Sequence, residues 1–390
     1  MSADSEPPGV AVLYNVTQRL VKGEPQDLLA DRPVVACARA VCNALAAAGH
    51  RVALAPITSE LEEALAPYPP GEWVVFNLGE GLEGRLFEEA RIAWALEALG
   101  YRFTGSHGDA IALSVHKARA KAVLQSHGVA TPPAWVLRSP DDVDWATVSA
   151  LPFPLIVKPL AEDASLGIGP EAVVASPQAL RDRVAYVVER YRQAALAEAF
   201  IAGRELNVAL WGDPPQALPL AEIDFSACTD PLARIVSFAD KWDQGSSECR
   251  RLPVLCPAPL GPELAADVTV TACRAWTALG CRNYARVDMR VSPEGVPYVL
   301  EVNCNPDLSP DAGFARSARA ASYTFGDMVG HILELALRQP GIYDRESTAY
   351  RWPVYSKTNG RHQHLQPHGV ELRRRALERL SGQRRGGQRI

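Results

Sequence analysis

Nineteen residues near the C-terminal end of the chain, "ARVDMRVSPEGVPYVLEVN" (285–303), constrain the fold more than any other stretch. The turn signal Pro293-Glu294-Gly295 separates two alternating runs, which predicts a β-hairpin. Opposed residues of an antiparallel pair have position numbers with a constant sum, and a four-residue connection over 293–296 fixes that sum. Asp288 then faces Glu301, Arg286 faces Asn303 and Val287 faces Val302. Successive side chains alternate between faces. One face therefore collects Arg286, Asp288, Glu301 and Asn303, and the other Val287, Met289, Leu300 and Val302. A slip of one residue would undo this arrangement. Two carboxylates directly opposed repel each other unless a cation sits between them. Three hard oxygen donors, Asp288, Glu301 and Asn303, suit Mg²⁺ or Mn²⁺ with positions left for substrate phosphates. Arg286 is placed to hold a phosphoryl group in transfer. A solvated sheet face with ordinary charge pairs is the competing reading of the hairpin taken alone.

The rest of the chain supplies context. "GVAVLYN" (9–15), "RVALAPI" (51–57) and "EWVVFNL" (72–78) predict buried parallel strands, with helices through "VVACARAVCNALAAAGH" and "EEARIAWALEALG" ended by Gly49 and Gly100. "RFTGS" is expected to begin a fourth strand. Repeated strand–helix units predict an open α/β sheet with ligands at the carboxyl ends of its strands, where Asn77, Glu80 and Arg85 lie. From about residue 116 the texture changes. A helix over "HKARAKAVLQSHG" precedes the extended "VATPPAWVL" and the strand "FPLIVKP", which delivers Lys158 to a strand end. The Gly-containing loop "AEDASLGIG" follows, then a helix over about 177–195 and the strand "ALAEAFI". Strands "RELNVALW" and "LPLAEIDF" lead to a polar loop through "KWDQGSSECRR", a helix over 262–279, the hairpin, and a last helix over 325–338. Lys117 and Lys158, the loop residues Ser165 and Gly167, and Glu198 and Glu205 stand in an order that forms a nucleotide site.

Length and composition narrow the class. A chain of 390 residues exceeds what one core usually supports, and 47% hydrophobic with 22% charged residues excludes disordered and collagen-like readings. Residues 351–390 hold 10 Lys/Arg against 2 Asp/Glu, a net +8, which leaves −13 on the remaining 350. An acidic body argues against nucleic acid as partner, and the basic tail reads as a solvated charge run; its His362, His364 and His368 have no metal-site spacing. There is no basic start with an apolar core, no long apolar run and no CxxC pair among the eight cysteines. A cytoplasmic protein with reduced thiols and no membrane partner is expected.

Taken together, "FTGS…HKARAK", "FPLIVKP", "EAFIAGRE", "ADKW", "ARVDMRV" and "VLEVNCNP" resemble the ATP-grasp superfamily, in its D-alanine–D-alanine ligase-like branch, from about residue 10 to 340. The resemblance implies a Rossmann-like N-terminal domain (1–115), a small central subdomain (116–203), a C-terminal subdomain with the metal site (204–340) and a basic tail (341–390). It implies that Lys117, Lys158 and Lys241 contact ATP phosphates, that Glu198 and Ile201 hold adenine and Glu205 the ribose. Arg286 would stabilise the transferring phosphoryl group, and Asp288, Glu301 and Asn303 would ligate the metal. In such enzymes ATP phosphorylates a carboxylate and an amine attacks the acyl phosphate, releasing ADP and phosphate. Relatives of this branch are often homodimers through the N-terminal domain.

The substrate side departs from that pattern. "YNVTQRLVKGE" lacks the family's Glu after the first strand, and Glu80 stands where a His is expected. Ala164 and Trp242 replace a Ser and a Tyr of a substrate-positioning triad. Pro306-Asp307 replaces Pro-Gly, and Ala312 replaces a Ser that binds a carboxylate. A ligase of amino-acid-like substrates, not necessarily two D-alanines, is the expectation, forming either D-Ala–D-Ala itself or a related product, with Glu80, Arg85 and Asp307 as candidates for reading a changed substrate; loop salt bridges are the alternative for those three. A non-catalytic nucleotide-binding module and a carboxylate kinase are the other classes left open.

Overall fold

Strand β1 (Gly9–Asn15) is buried along its whole length and lies between β2 (Val52–Ile57) and β3 (Trp73–Leu78) in a parallel sheet. In the computed structural model the described residues are 7–17, 20–30, 32–58, 60–81, 83–144, 151–243, 245, 250 and 252–338. The basic tail, its histidines and its expected helix therefore lie outside the described residues, as does part of the loop "KWDQGSSECRR". Alternate residues of β1 serve two cores. Val10 and Val12 pack with Val34, Ala38 and Val41 of α1 (Arg32–Ala47), and Ala11 and Leu13 join α2 (Leu61–Leu65) and α3 (Glu88–Ala98). Each fully buried Val or Leu among them contributes about 1.5–3 kcal/mol.

The expected fourth strand is a single bridge, Val75 to Phe103. The Thr104 hydroxyl accepts the Asn77 N–H at 2.9 Å and Gly105 turns the chain at φ +92°, so pairing stops there. Helices α4 (Gly108–Val115) and α5 (Lys117–Ser126) follow; the first was not foreseen.

The second sheet, in the order β4-β7-β5-β6, is antiparallel: β4 (Ala134–Leu137), β5 (Leu155–Pro159), β6 (Val173–Val174) and β7 (Ala195–Ala199). Its core, including Val157, Val184, Val187 and Ala197, is built from the sheet, from α6 (Pro177–Tyr191) and from Val143 and Leu151 of the β4–β5 connection. That helix stops four residues short of the expected 195, because Arg192 adopts a left-handed φ of 52°.

The third sheet joins β8 (Arg204–Trp211), β9 (Gln216–Ala217), β10 (Ala221–Ile223), β11 (Val254–Leu255), β12 (Tyr284–Val291) and β13 (Pro297–Asn303). The polar loop before β11 carries a short helix, α7 (Phe238–Trp242), capped reciprocally by Ser237 and Asp240. Helix α8 (Pro262–Leu279) covers the apolar face of the sheet, where Val268, Ala272 and Trp276 meet Leu206, Val208, Val287 and Met289. Helices α9 (Gly313–Ala320) and α10 (Phe325–Arg338) close the unit against α1; α9 was not foreseen. The hairpin register is as expected at Arg286–Asn303, Val287–Val302 and Asp288–Glu301, but shifts after Asp288 so that Met289 pairs with Val299. This bulge corrects one expectation. Val299 is fully buried in the core, and Leu300 lines the opposite, polar face.

Gly203 is required by close approach: a Cβ there would lie 2.1 Å from the Val291 carbonyl oxygen. The seven described cysteines are free thiols, with the sulfurs of Cys281 and Cys304 3.5 Å apart.

Candidate active site

The polar face of β8, β12 and β13 is the floor of a cleft of about 1200 Å³. That exceeds the roughly 300–1,000 Å³ of a drug-sized ligand pocket and leaves room for a nucleotide beside a second substrate. Asp288 is held at its centre. Arg286 grips both its oxygens at 2.7 Å, and the Asn207 amide donates to one of them at 2.7 Å. Glu301, directly across the ladder, is drawn toward Lys117 at 3.2 Å. Burial opposes its charge, yet Lys117, Lys158, Lys241 and Arg286 outweigh it and hold the Glu301 carboxyl well below the usual range. Asn303 lies on the same face and accepts the Asn305 N–H at 2.9 Å. Three oxygen donors facing one space fit a divalent ion, which Asp288, Glu301 and Asn303 would hold and which would neutralise phosphate charge there.

The wall above this floor comes from the central sheet. Lys158 at the end of β5 pairs with Glu198 of β7 at 2.6 Å, and Lys121 pairs with the other Glu198 oxygen at 2.6 Å. Burial pushes against the Glu198 anion, but the two lysines prevail and lower its pKa. Both oxygens of Glu198 are thus engaged by lysines in this arrangement, although the residue lines the cleft. Glu205 is bound by Arg290 at 2.9 Å, whose guanidinium also donates to the Ile201 carbonyl at 2.9 Å and sits 4.8 Å over the Phe200 ring. Lys241, from α7, enters from the opposite side; burial and then Arg286 lower its pKa.

The loop after β5 turns through two successive left-handed residues, Ala164 (φ 56°) and Ser165 (φ 60°), and the Ser165 hydroxyl donates to the Val236 carbonyl at 3.2 Å. Gly167 follows at φ +69°, and a Cβ there would meet the Tyr191 ring at 2.9 Å. Only glycine fits.

Of the residues marked in the sequence as site candidates, Lys117, Gly167 and the buried Asn77 stand behind the cleft wall and the others line it. Lys117 is 4% exposed, and its ammonium donates to the Glu162 carbonyl at 2.6 Å and to Asp163 at 3.1 Å. Burial opposes its charge, but Asp163 and Glu301 raise its pKa. At the far end, Glu80 is exposed at the mouth, with its N–H on the Asn15 side-chain oxygen at 3.0 Å. Arg85 pairs with Glu83 at 3.0 Å on the surface, and Asp307 accepts the Ser309 N–H at 2.8 Å.

Several cleft residues carried no sequence signal. Asp27, 5% exposed, takes the Tyr191 hydroxyl at 3.2 Å and the Glu24 N–H at 2.8 Å; its neighbour Lys22 pairs with Glu162. The segment that replaces the family's Glu-bearing run thereby crosses onto α6, where Gly23 N–H donates to the Arg190 carbonyl at 3.0 Å. Glu89 and Arg316 line the substrate end as well.

A family model described as "D-ala D-ala ligase C-terminus" matches residues 123–334. The D-alanine–D-alanine ligase of Desulforudis audaxviator is 34% identical over 301 residues, covering 76% of this chain and 92% of that protein. The chain belongs to the D-alanine–D-alanine ligase family. Membership makes it an ATP-dependent, ADP-forming carboxylate–amine ligase of the ATP-grasp fold. The uncharacterized protein y4sG of Sinorhizobium fredii is 31% identical over 322 residues, 81% of this chain and 89% of that one. In fold, the chain matches the crystal structure of the Bacillus anthracis D-alanine–D-alanine ligase complexed with ATP, with a TM-score of 0.65 at 21% identity, over 86% of this chain and 99% of that one.

Against that family, two departures touch each other. The Trp242 indole N–H donates to the Ala164 carbonyl at 2.8 Å, so the pair that replaces a Tyr and a Ser makes one contact with no hydroxyl in it. No described helix is long and apolar enough to cross a membrane.

Proposed function

We propose that this ligase activates the carboxylate of one amino-acid-like substrate as an acyl phosphate and joins it to the amine of another, with at least one substrate other than D-alanine. The observation that carries this is the floor of the cleft: Arg286, Asp288, Glu301 and Asn303 share one face in register, opposite Lys158 and Lys241. In this reading Lys158, Lys241 and the Ser165 loop hold the triphosphate, with Lys117 fixing Glu301 and the loop carboxylate Asp163 from behind. Ile201 and Glu205 face the nucleoside, with Glu198 setting Lys158. Asp288, Glu301 and Asn303 would hold Mg²⁺ or Mn²⁺, which neutralises triphosphate charge when bound. Arg286 would leave Asp288 for the transferring phosphoryl group, offering a planar, permanently charged fork.

Glu80, Arg85 and Asp307 lie at the end where the amino-acid substrates enter. The changes at Ala164, Trp242 and Ala312 remove hydroxyl donors, and lost polar contacts alter specificity more than apolar changes do. The reading carries with it a cytoplasmic enzyme and a homodimer through the N-terminal domain, the latter checked by light scattering. The test is ADP release from purified protein with Mg²⁺-ATP and D- and L-amino acids, singly and in pairs, with product masses. One ADP per new amide bond is expected. ADP formed with an acid and no amine would favour a carboxylate kinase, and ATP binding without turnover a binding module.

A further inference from the structure

The first turn of α3 stands out at the substrate end of the cleft. Phe87, just before it, is held at φ 62°, ψ 12°, a left-handed conformation that costs a residue with a Cβ about 1 kcal/mol or more. Gly81 and Gly84 before it are also left-handed, at φ +130° and +68°. This backbone delivers two consecutive carboxylates. Glu88 turns to Arg91 and pairs with it at 2.8 Å. Glu89 lines the cleft and has no ion pair among the described residues.

Its surroundings come from three elements. Glu80 presses from the loop after β3, Asp163 from the phosphate loop after β5, and Cys304 from the segment after β13, where the Asn305 amide donates to it. None of these groups is a cation. Burial first, and then Asp163, Cys304 and Glu80, push the Glu89 carboxyl well above the usual range. The position is what gives this meaning. Glu89 lies between the phosphate loop and the strand end that carries Asn303, where an acyl phosphate would meet its nucleophile.

We propose that Glu89 receives the ammonium group of the attacking substrate and takes a proton from it. This rests on the ligase reading above. The step balances: the ammonium gives one proton to a Glu89 carboxylate oxygen, and the freed nitrogen lone pair attacks the acyl carbon. The C–N bond forms as the bond from carbon to the phosphate oxygen breaks, and the second nitrogen proton leaves with hydrogen phosphate. A half-buried carboxylate with no ion pair among the described residues has its charge compensated by the substrate, and its raised basicity suits a general base. The substrate class is a primary amine that is protonated in solution.

Hydroxylamine separates this role from a structural one, because it is already neutral near pH 7 and needs no base. With the acid and amine found by the pair screen, Glu89→Gln should lower amide formation about 100-fold or more. Hydroxamate formation from the same acid should stay within about threefold of wild type, which also shows that the variant is folded. Glu89→Asp, which keeps a carboxylate, should recover part of the amide rate. Equal changes in amide and hydroxamate in both variants, or an amide rate unchanged by Glu89→Gln, would overturn the assignment and leave the ligase reading standing. Wild-type protein that makes neither product would overturn the ligase reading and this inference with it.

Discussion

At the phosphate end of the cleft, Glu198, Asp288 and Glu301 each face a cation within 3.2 Å. At the substrate end, Asp27 relies on a tyrosine hydroxyl and a backbone N–H, and Glu89 on an amide. The carboxyls respond in opposite directions: Glu198 and Glu301 are stabilised as anions and Glu89 and Asp27 are not. The difference teaches what each end is built to meet. Surplus lysines and an arginine wait for phosphate, whereas surplus carboxylates wait for a positive group.

The largest break in this contrast should come from Glu301→Gln. It keeps the shape and removes the charge facing Lys117, and ADP release should fall about 10²–10³-fold with an unchanged circular dichroism spectrum. Near-wild-type turnover would remove Glu301 from the metal and phosphate assignment. Glu198→Gln leaves Lys121 and Lys158 buried without their anion, and should lower unfolding free energy by roughly 3–5 kcal/mol, measured by urea titration. The sign with pH follows from its lowered pKa. The contribution is present above the unfolded carboxyl value and lost as pH falls through the lower, folded one. Lys117 gives the opposite limb, since its raised pKa makes its contribution present below the unfolded value and lost as pH rises through the folded one.

Glu89→Gln sharpens the comparison from the other side. A carboxyl whose folded pKa is raised binds protons more tightly when folded, so its ionisation weakens the fold as pH rises. The variant should gain about 0.5–2 kcal/mol at pH 7 and little at about pH 4, near the unfolded carboxyl value. A loss of stability at pH 7 would contradict the uncompensated charge. The smallest effect is expected of Trp242→Phe, which removes the donor to the Ala164 carbonyl. It should cost about 1 kcal/mol and raise KM for ATP a few-fold at unchanged kcat.

The same contrast explains what could be read from the sequence. The phosphate end is legible because its metal-facing residues sit on regular strands: period-two alternation and a constant-sum register place Asp288 against Glu301 from the sequence alone. The bulge after Asp288 is not, since one extra residue in a strand leaves no compositional mark, and Leu300 is assigned to the wrong face. The strand expected at "RFTGS" and the short helices α4 and α9 failed for a related reason: a bridge or a two-turn helix is decided by partners such as Asn77 and Thr104, not by local pattern. Glu89 could not be singled out because an acidic residue in the first turn of a helix is ordinarily a solvated partner of the helix dipole. What sets it apart comes from the loop just before it and from two loops distant in sequence, those of Asp163 and Cys304. Trp242 and Ala164 were each visible as departures, but their contact across 78 positions was not.

The central claim is that a carboxylate is phosphorylated at the cationic end and handed to an amine at the acidic end. The most direct measurement supplies the acid substrate with ¹⁸O in its carboxylate and follows the label by mass spectrometry. One ¹⁸O carried into the released phosphate for each amide formed is the predicted result. Amide formed with unlabelled phosphate would contradict the acyl phosphate, and with it the division of labour between the two ends.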